Sequence, residues 1–258
     1  MRHIYSKASK VLIWLGEEDE EEGSTELAFD MMSRFAYLYG QRVFSQMWDQ
    51  IEGEEHKFEA VKRLLQRPYF QRVWIIQEIV LSRDAVVVCG RYSRPWEAVY
   101  DACTWLEACG LDFVALHNEH IVAKCMSAWQ EMGRKDPQLR LLRCLSQTRY
   151  SQATDPRDKV YCLLGIAMEG EDEYFQPDYS RALRQVYTAA TRFIIEKDDH
   201  LEALCAVQET DSGVSELPSW VPDWRRPWVA DKIGLTQRGQ LTSISGGTRF
   251  HTNYHRHR

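Results

Sequence analysis

The chain has 258 residues, 44% of them hydrophobic and 27% charged, and a formal net charge of -6, which suits a folded globular protein with a sizeable core. An acidic balance with only short basic runs argues against a general nucleic-acid surface. No apolar run is long enough to cross a bilayer, and MRHIYSKASK lacks the apolar centre of a signal peptide.

In chain order, residues 1–9 read as the end of a helix, and Val11 to Leu15 as a buried strand closed by Gly16. A buried strand needs neighbours on both sides, so the expectation is a chain that starts inside a domain whose first elements are missing. Glu17 to Glu22 reads as a solvated acidic loop. Ser24 reads as an N-cap, with Leu27, Met31, Phe35 and Leu38 at helical spacing behind it. Residues 40–56 are polar and irregular; Phe58, Val61, Leu64 and Leu65 then make a helical stripe.

Leu64 to Gly90 is the richest stretch. Arg67-Pro68 stops the preceding helix, because a proline pushes its predecessor out of helical geometry. A new helix is expected from Pro68 to about Ser82, with Phe70, Val73, Trp74, Val80 and Leu81 on one face and Ile75 and Ile79 on the other. Gln77 and Glu78 fall on or beside the first face and are the best candidates for buried polar groups. A buried carboxylate needs a charged or hydrogen-bonding partner, so Glu78 is the candidate catalytic or ligand-binding acid, against a purely structural network. Ala85 to Cys89 reads as a strand.

Tyr92 to Trp96 is a strand-to-helix joint with Pro95 at the first helical position. Helices are expected at about 96–109, 112–132 and 138–149. His117 and His120 read as surface residues, and no metal site is expected. In Thr154-Asp155-Pro156-Arg157-Asp158-Lys159-Val160-Tyr161-Cys162-Leu163-Leu164-Gly165, Asp155 is a good N-cap, Pro156 sits at the first helical position and Asp158 can close a capping box. Gly165 suits a left-handed stop. Arg157 disfavours the helix dipole where it stands, so it is expected to pair with a buried carboxylate, Glu78 first.

Pro177 to Ser180 caps a helix running to about Glu196, with Val186, Ala190, Phe193 and Ile194 inward. Leu201 to Val207 reads as a strand. Leu217 to Trp224 is too proline-rich for a helix and should lay Trp220 and Trp224 onto an existing surface. Beyond Trp228 the pattern weakens to a tail whose histidines form no expected metal site. Seven scattered cysteines without a C-x-x-C pair read as reduced thiols of an intracellular protein. No nucleophile elbow, P-loop, G-x-G-x-x-G or H-E-x-x-H is present, and no cofactor is called for.

Three stretches together resemble the fungal heterokaryon incompatibility (HET) domain. They are Met1-x-x-Ile4-Tyr5-x-x-Ala8-x-x-Val11-x-Ile13-Trp14-Leu15-Gly16, Arg67-Pro68-Tyr69-Phe70-x-Arg72-Val73-Trp74-x-x-Gln77-Glu78, and Thr154 to Gly165. Pro218 to Trp224 is similar to a segment that follows that domain in many fungal members. The resemblance covers about residues 1–225 and departs at the start, where this chain has neither of two upstream blocks. It implies a cytoplasmic protein of nonself recognition whose domain triggers programmed cell death with protein partners or by self-association. It also implies a distant likeness to TIR domains, some of which cleave NAD with a glutamate.

The expected architecture is α/β, a small, mostly parallel sheet surrounded by many helices. A partial HET domain would span 1–170, a helical extension with the Trp/Pro-rich segment 171–230, and a weakly ordered tail 231–258. The leading function is an effector or interaction module of fungal incompatibility. The alternatives are an NAD-type nucleotide hydrolase, with Glu78 as acid or base and Arg157 beside it, or an inactive truncated fragment. Trp74, Gln77, Asp155, Pro156 and Asp158 are expected to be structural.

Overall fold

The computed structural model describes residues 2–19, 24–44, 53–109, 140–171, 176–198, 201–208 and 216–227. The expected helix at 112–132, His117, His120 and the C-terminal histidines lie outside them.

The chain opens with α1 (Arg2–Lys7) and β1 (Val11–Trp14). Helices α2 (Ser24–Gly40) and α3 (Glu55–Leu65) follow, then a 3-10 turn at Pro68–Gln71 and the short α4 (Ile75–Val80). Strands β2 (Ala85–Cys89) and β3 (Tyr92–Pro95) lead into α5 (Trp96–Ala108). The later part holds α6 (Leu141–Gln147), α7 (Asp158–Leu164) and α8 (Leu183–Asp198), with 3-10 turns at Met168–Glu171 and Glu202–Ala206.

Among the described residues the sheet has the order β1-β2-β3. β1 and β2 are parallel, Val11 opposite Ala85 and Trp14 opposite Val88, whereas β2 and β3 are antiparallel. It is a mixed α/β fold with a small open sheet, not the mostly parallel one expected. The two-residue turn at Gly90-Arg91 is the reason, since so short a link can return the chain only antiparallel. Gly90 takes a φ of +54° there.

Strand alternation decides which face is covered. Val11, Ile13, Ala85, Val87 and Cys89 are buried, while Leu12 and Trp14 are 68% and 49% exposed. β1 was expected to be buried on both sides; one face of it is open instead. The covered side packs on α2, whose Phe35 ring stacks on Trp105 of α5 at 4.7 Å and meets Phe58 of α3 edge-on at 6.4 Å. The Trp105 indole donates to the Val43 carbonyl at 2.7 Å, so the largest ring in this core carries no orphan polar atom.

Local departures have physical causes. The helix expected from Pro68 to Ser82 is broken at Arg72-Val73, where Arg72 is extended (ψ 133°) and bridges Gln152 in parallel. Val73 N donates to the Gln152 carbonyl at 2.8 Å and Gln152 N to the Gln71 carbonyl at 2.5 Å, so an incoming strand-like segment replaces the helical bonds. The strand expected at Leu201 to Val207 is a 3-10 turn that buries Ala203 and Ala206, three residues apart. Its composition, LEALCA, favours helical geometry, and only Val207 is β-branched. Ser24 stands inside α2; its hydroxyl donates to Asp19 at 3.3 Å and accepts from Arg63 at 3.0 Å.

Candidate functional site

The three sequence stretches meet in space around α4. The first contact comes through Arg67. Gly16 has a φ of +103°, a left-handed turn that only glycine takes without strain. The turn aims the carbonyls of Leu15 and Glu17 at one place, and Arg67 donates to them at 3.0 and 2.6 Å while its second terminal nitrogen pairs with Asp19 at 2.5 Å. Arg67 therefore fastens the end of β1 to the start of the second stretch. From the sequence it was legible only as the residue ahead of a proline.

Glu78 is half-buried on α4, more open than expected. Its carboxylate accepts the Tyr69 hydroxyl at 2.7 Å. Burial first, and then the adjacent Glu78 charge and hydrogen bond, push the Tyr69 hydroxyl well above the usual phenol range. Tyr5 of α1 stands by the same carboxylate; burial and Glu78 also raise its pKa, against a smaller opposing pull from Arg72. Thus α1, the 3-10 turn and α4 share one carboxylate. No periodicity marked Tyr5 or Tyr69 as its partners.

The unfolded phenol ionises near pH 10, and the folded Tyr69 keeps its proton to higher pH. Its contribution to stability is therefore complete below about pH 10 and is lost as pH rises through the folded value. Urea unfolding at about pH 7 and about pH 10.5 should show a smaller alkaline loss for Tyr69→Phe than for the unaltered chain. An unchanged loss would mean that Tyr69 does not titrate differently in the fold.

Gln77 is buried at 3% exposure, as expected, and its side-chain nitrogen donates to the Cys162 carbonyl of α7 at 2.5 Å. Gly165 belongs to this contact. Its φ is -69°, right-handed and not the expected left-handed stop, and a Cβ built on it would lie 2.0 Å from that same nitrogen. Any side chain at 165 would have to displace the Gln77 amide. Trp74, one turn before Glu78, donates its indole N–H to Asp158 at 2.9 Å. Asp158 also accepts the Tyr179 hydroxyl at 2.5 Å, so it joins two stretches instead of closing a capping box.

The expected Arg157 to Glu78 pair is not formed. Arg157 Nε and Nη2 lie on Asp155 at 2.9 and 2.6 Å, and Nη1 donates to the carbonyls of Tyr179 and Arg181 at 2.6 and 2.8 Å. An arginine disfavoured by the helix dipole does find a carboxylate, but one only two residues back in the chain. Asp155 also accepts the Arg157 backbone N–H at 3.0 Å, a local turn in front of α7 that Pro156 suits. Its carboxyl is held below the ordinary range chiefly by the Arg157 hydrogen bond.

Two buried cations were not singled out by the sequence. Lys159 is 5% exposed and donates to the carbonyls of Arg149, at 2.8 Å, and Ser151, fixing the segment after α6 against α7. A lysine four residues before Leu163, on a helix buried nearly all round, was the available signal. Arg149 is fully buried, donates to the Ala206 carbonyl and stands 4.8 Å above the Trp224 ring. Desolvation lowers its pKa to about 10, with Asp223 opposing that shift, so it stays charged at neutral pH.

Among the described residues there is no group of three or more histidine, cysteine, aspartate or glutamate side chains placed to hold a metal, and no helix is long and apolar enough to cross a membrane. The six described cysteines are free thiols.

The geometry defines a mixed α/β domain in which three separated stretches are interlocked by side-chain to backbone bonds around α4. Residues 1–78 match the family described as heterokaryon incompatibility protein (HET). The match ends at Glu78 and contains Gly16, Arg67, Tyr69, Trp74 and Gln77. Over 317 aligned positions the chain is 25% identical to heterokaryon incompatibility protein 6, OR allele, of Neurospora crassa, covering 96% of this chain and 44% of that protein. The chain thus spans less than half the length of this curated relative. No solved structure matches.

Proposed function

We propose that this chain acts in fungal heterokaryon incompatibility as an effector or interaction module that triggers cell death through protein partners or self-association in the cytoplasm. The observation that supports this reading most is the alignment with an incompatibility protein along nearly the whole chain, through all three interlocked stretches. A TIR-like sheet belongs to the same reading as a finer proposal, as does a HET segment extended to about residue 170 and followed by a helical extension.

The second reading, hydrolysis of an NAD-type nucleotide with Glu78 as acid or base, rests on the half-buried carboxylate alone. Its contacts to Tyr69 and Tyr5 suit a fastening role equally well. Arg157 is engaged with Asp155 and has no part in it.

Inducible expression in a fungal host, read as colony growth and vital-dye uptake, tests both. Induction should arrest growth; normal growth with soluble, folded protein present would refute the effector reading. Arrest that persists in Glu78→Gln would make the carboxylate structural. Arrest lost with an unchanged melting temperature would give Glu78 a functional role, and nucleotide turnover would be the next assay.

A further inference from the structure

The outer face of α8 carries a feature that none of the three stretches uses. Arg184, Gln185, Thr188, Ala189 and Arg192, with Pro218 from the Trp/Pro-rich segment, line a cleft of ≈ 340 Å³. Arg184, Thr188 and Arg192 recur every four residues, so they stand in one row along the helix. The two arginines are about 12 Å apart along the axis, with Thr188 midway between them.

Every polar group brought to this cleft is a donor or can act as one. Among the described residues neither Arg184 nor Arg192 has a carboxylate partner. The Gln185 side-chain oxygen is already used, accepting the Ala182 backbone N–H at 2.9 Å in front of α8, which leaves its amide hydrogens. The Thr188 hydroxyl is buried and has no hydrogen-bond partner among the described residues. Burial keeps this hydroxyl out of a ligand's reach, so the free donors of the cleft are the two guanidinium groups and the Gln185 amide.

We propose that this cleft binds the phosphate group of a small phosphorylated molecule. Arg184 and Arg192 would close on its oxygens from either side, Gln185 would donate from beneath, and Ala189 and Pro218 would give the non-phosphate part an apolar contact. Guanidinium groups match the oxygens of a phosphate in charge and in fork geometry. A local pair of uncompensated positive charges on a chain of net charge -6 also favours a dianion over a neutral ligand. The site is independent of Glu78 and of the incompatibility reading.

The test is calorimetric titration of the full chain with pyrophosphate, and with sodium chloride at matched ionic strength. One saturable site is expected for pyrophosphate alone. Arg184→Gln and Arg192→Gln should each weaken binding by about tenfold or more, with melting temperatures held. Arg83→Gln, on the turn before β2, should leave binding unchanged. Absence of saturable binding by the folded chain would overturn the proposal. So would a loss in Arg83→Gln equal to that in Arg184→Gln, which would show diffuse charge attraction and no site.

Discussion

Trp224→Ala should destabilise the chain by about 3–5 kcal/mol, the range for emptying a large aromatic site in a core. Trp224 is 0% exposed although it lies in a segment with no regular secondary structure. Leu217 and Val221 are buried with it, so the ring anchors an otherwise irregular stretch. It also covers the Arg149 guanidinium, and without the ring water would reach that buried cation. Trp224→Phe should cost less, because a ring face remains over Arg149. Urea unfolding with comparison of slopes is the measurement. A cost for Trp224→Ala below about 1 kcal/mol, within the scatter of surface substitutions, would mean that residues 216–227 do not dock as described.

The second large effect is a coupling. Gly165→Ala should destabilise by about 1–3 kcal/mol, since the added methyl overlaps the Gln77 amide and the interior around it is filled. Gln77→Ala should cost about 1–3 kcal/mol by leaving the buried Cys162 carbonyl without that donor. The double variant should cost clearly less than the sum, because the methyl at 165 enters space that Gln77 has vacated. Strict additivity in the four-corner cycle would show that Gly165 is constrained by something other than Gln77. The coupling joins α4 to the end of α7, so it also tests whether the second and third stretches work as one unit.

Apolar periodicity placed α2, α3, α5 and α8 to within a few residues, and short apolar runs closed by glycine placed β1 and β2. Each of these signals repeats along one element and needs no knowledge of its neighbours. Gln77 was legible as buried because it stands among apolar residues on α4. The likeness to the HET domain was legible because three ordered stretches of unusual composition occur in one chain.

Partners and breaks were decided elsewhere. The interruption at Arg72-Val73 depends on Gln152, eighty residues on, whose backbone takes over the hydrogen bonds that a continuous helix would have made. Arg157 needed an anion, and sequence could state the need; only the fold shows that Asp155 is in reach and that Glu78 belongs to the tyrosines. Gly165 looked like a residue needed for its backbone, whereas it is needed for the space that Gln77 fills. The amino-acid sequence by itself determined which faces had to be buried and which polar groups would require a partner, because desolvation costs attach to the residue. Which partner each received was decided by the tertiary structure, because a hydrogen bond or an ion pair depends on distance and direction across elements that the chain brings together only on folding.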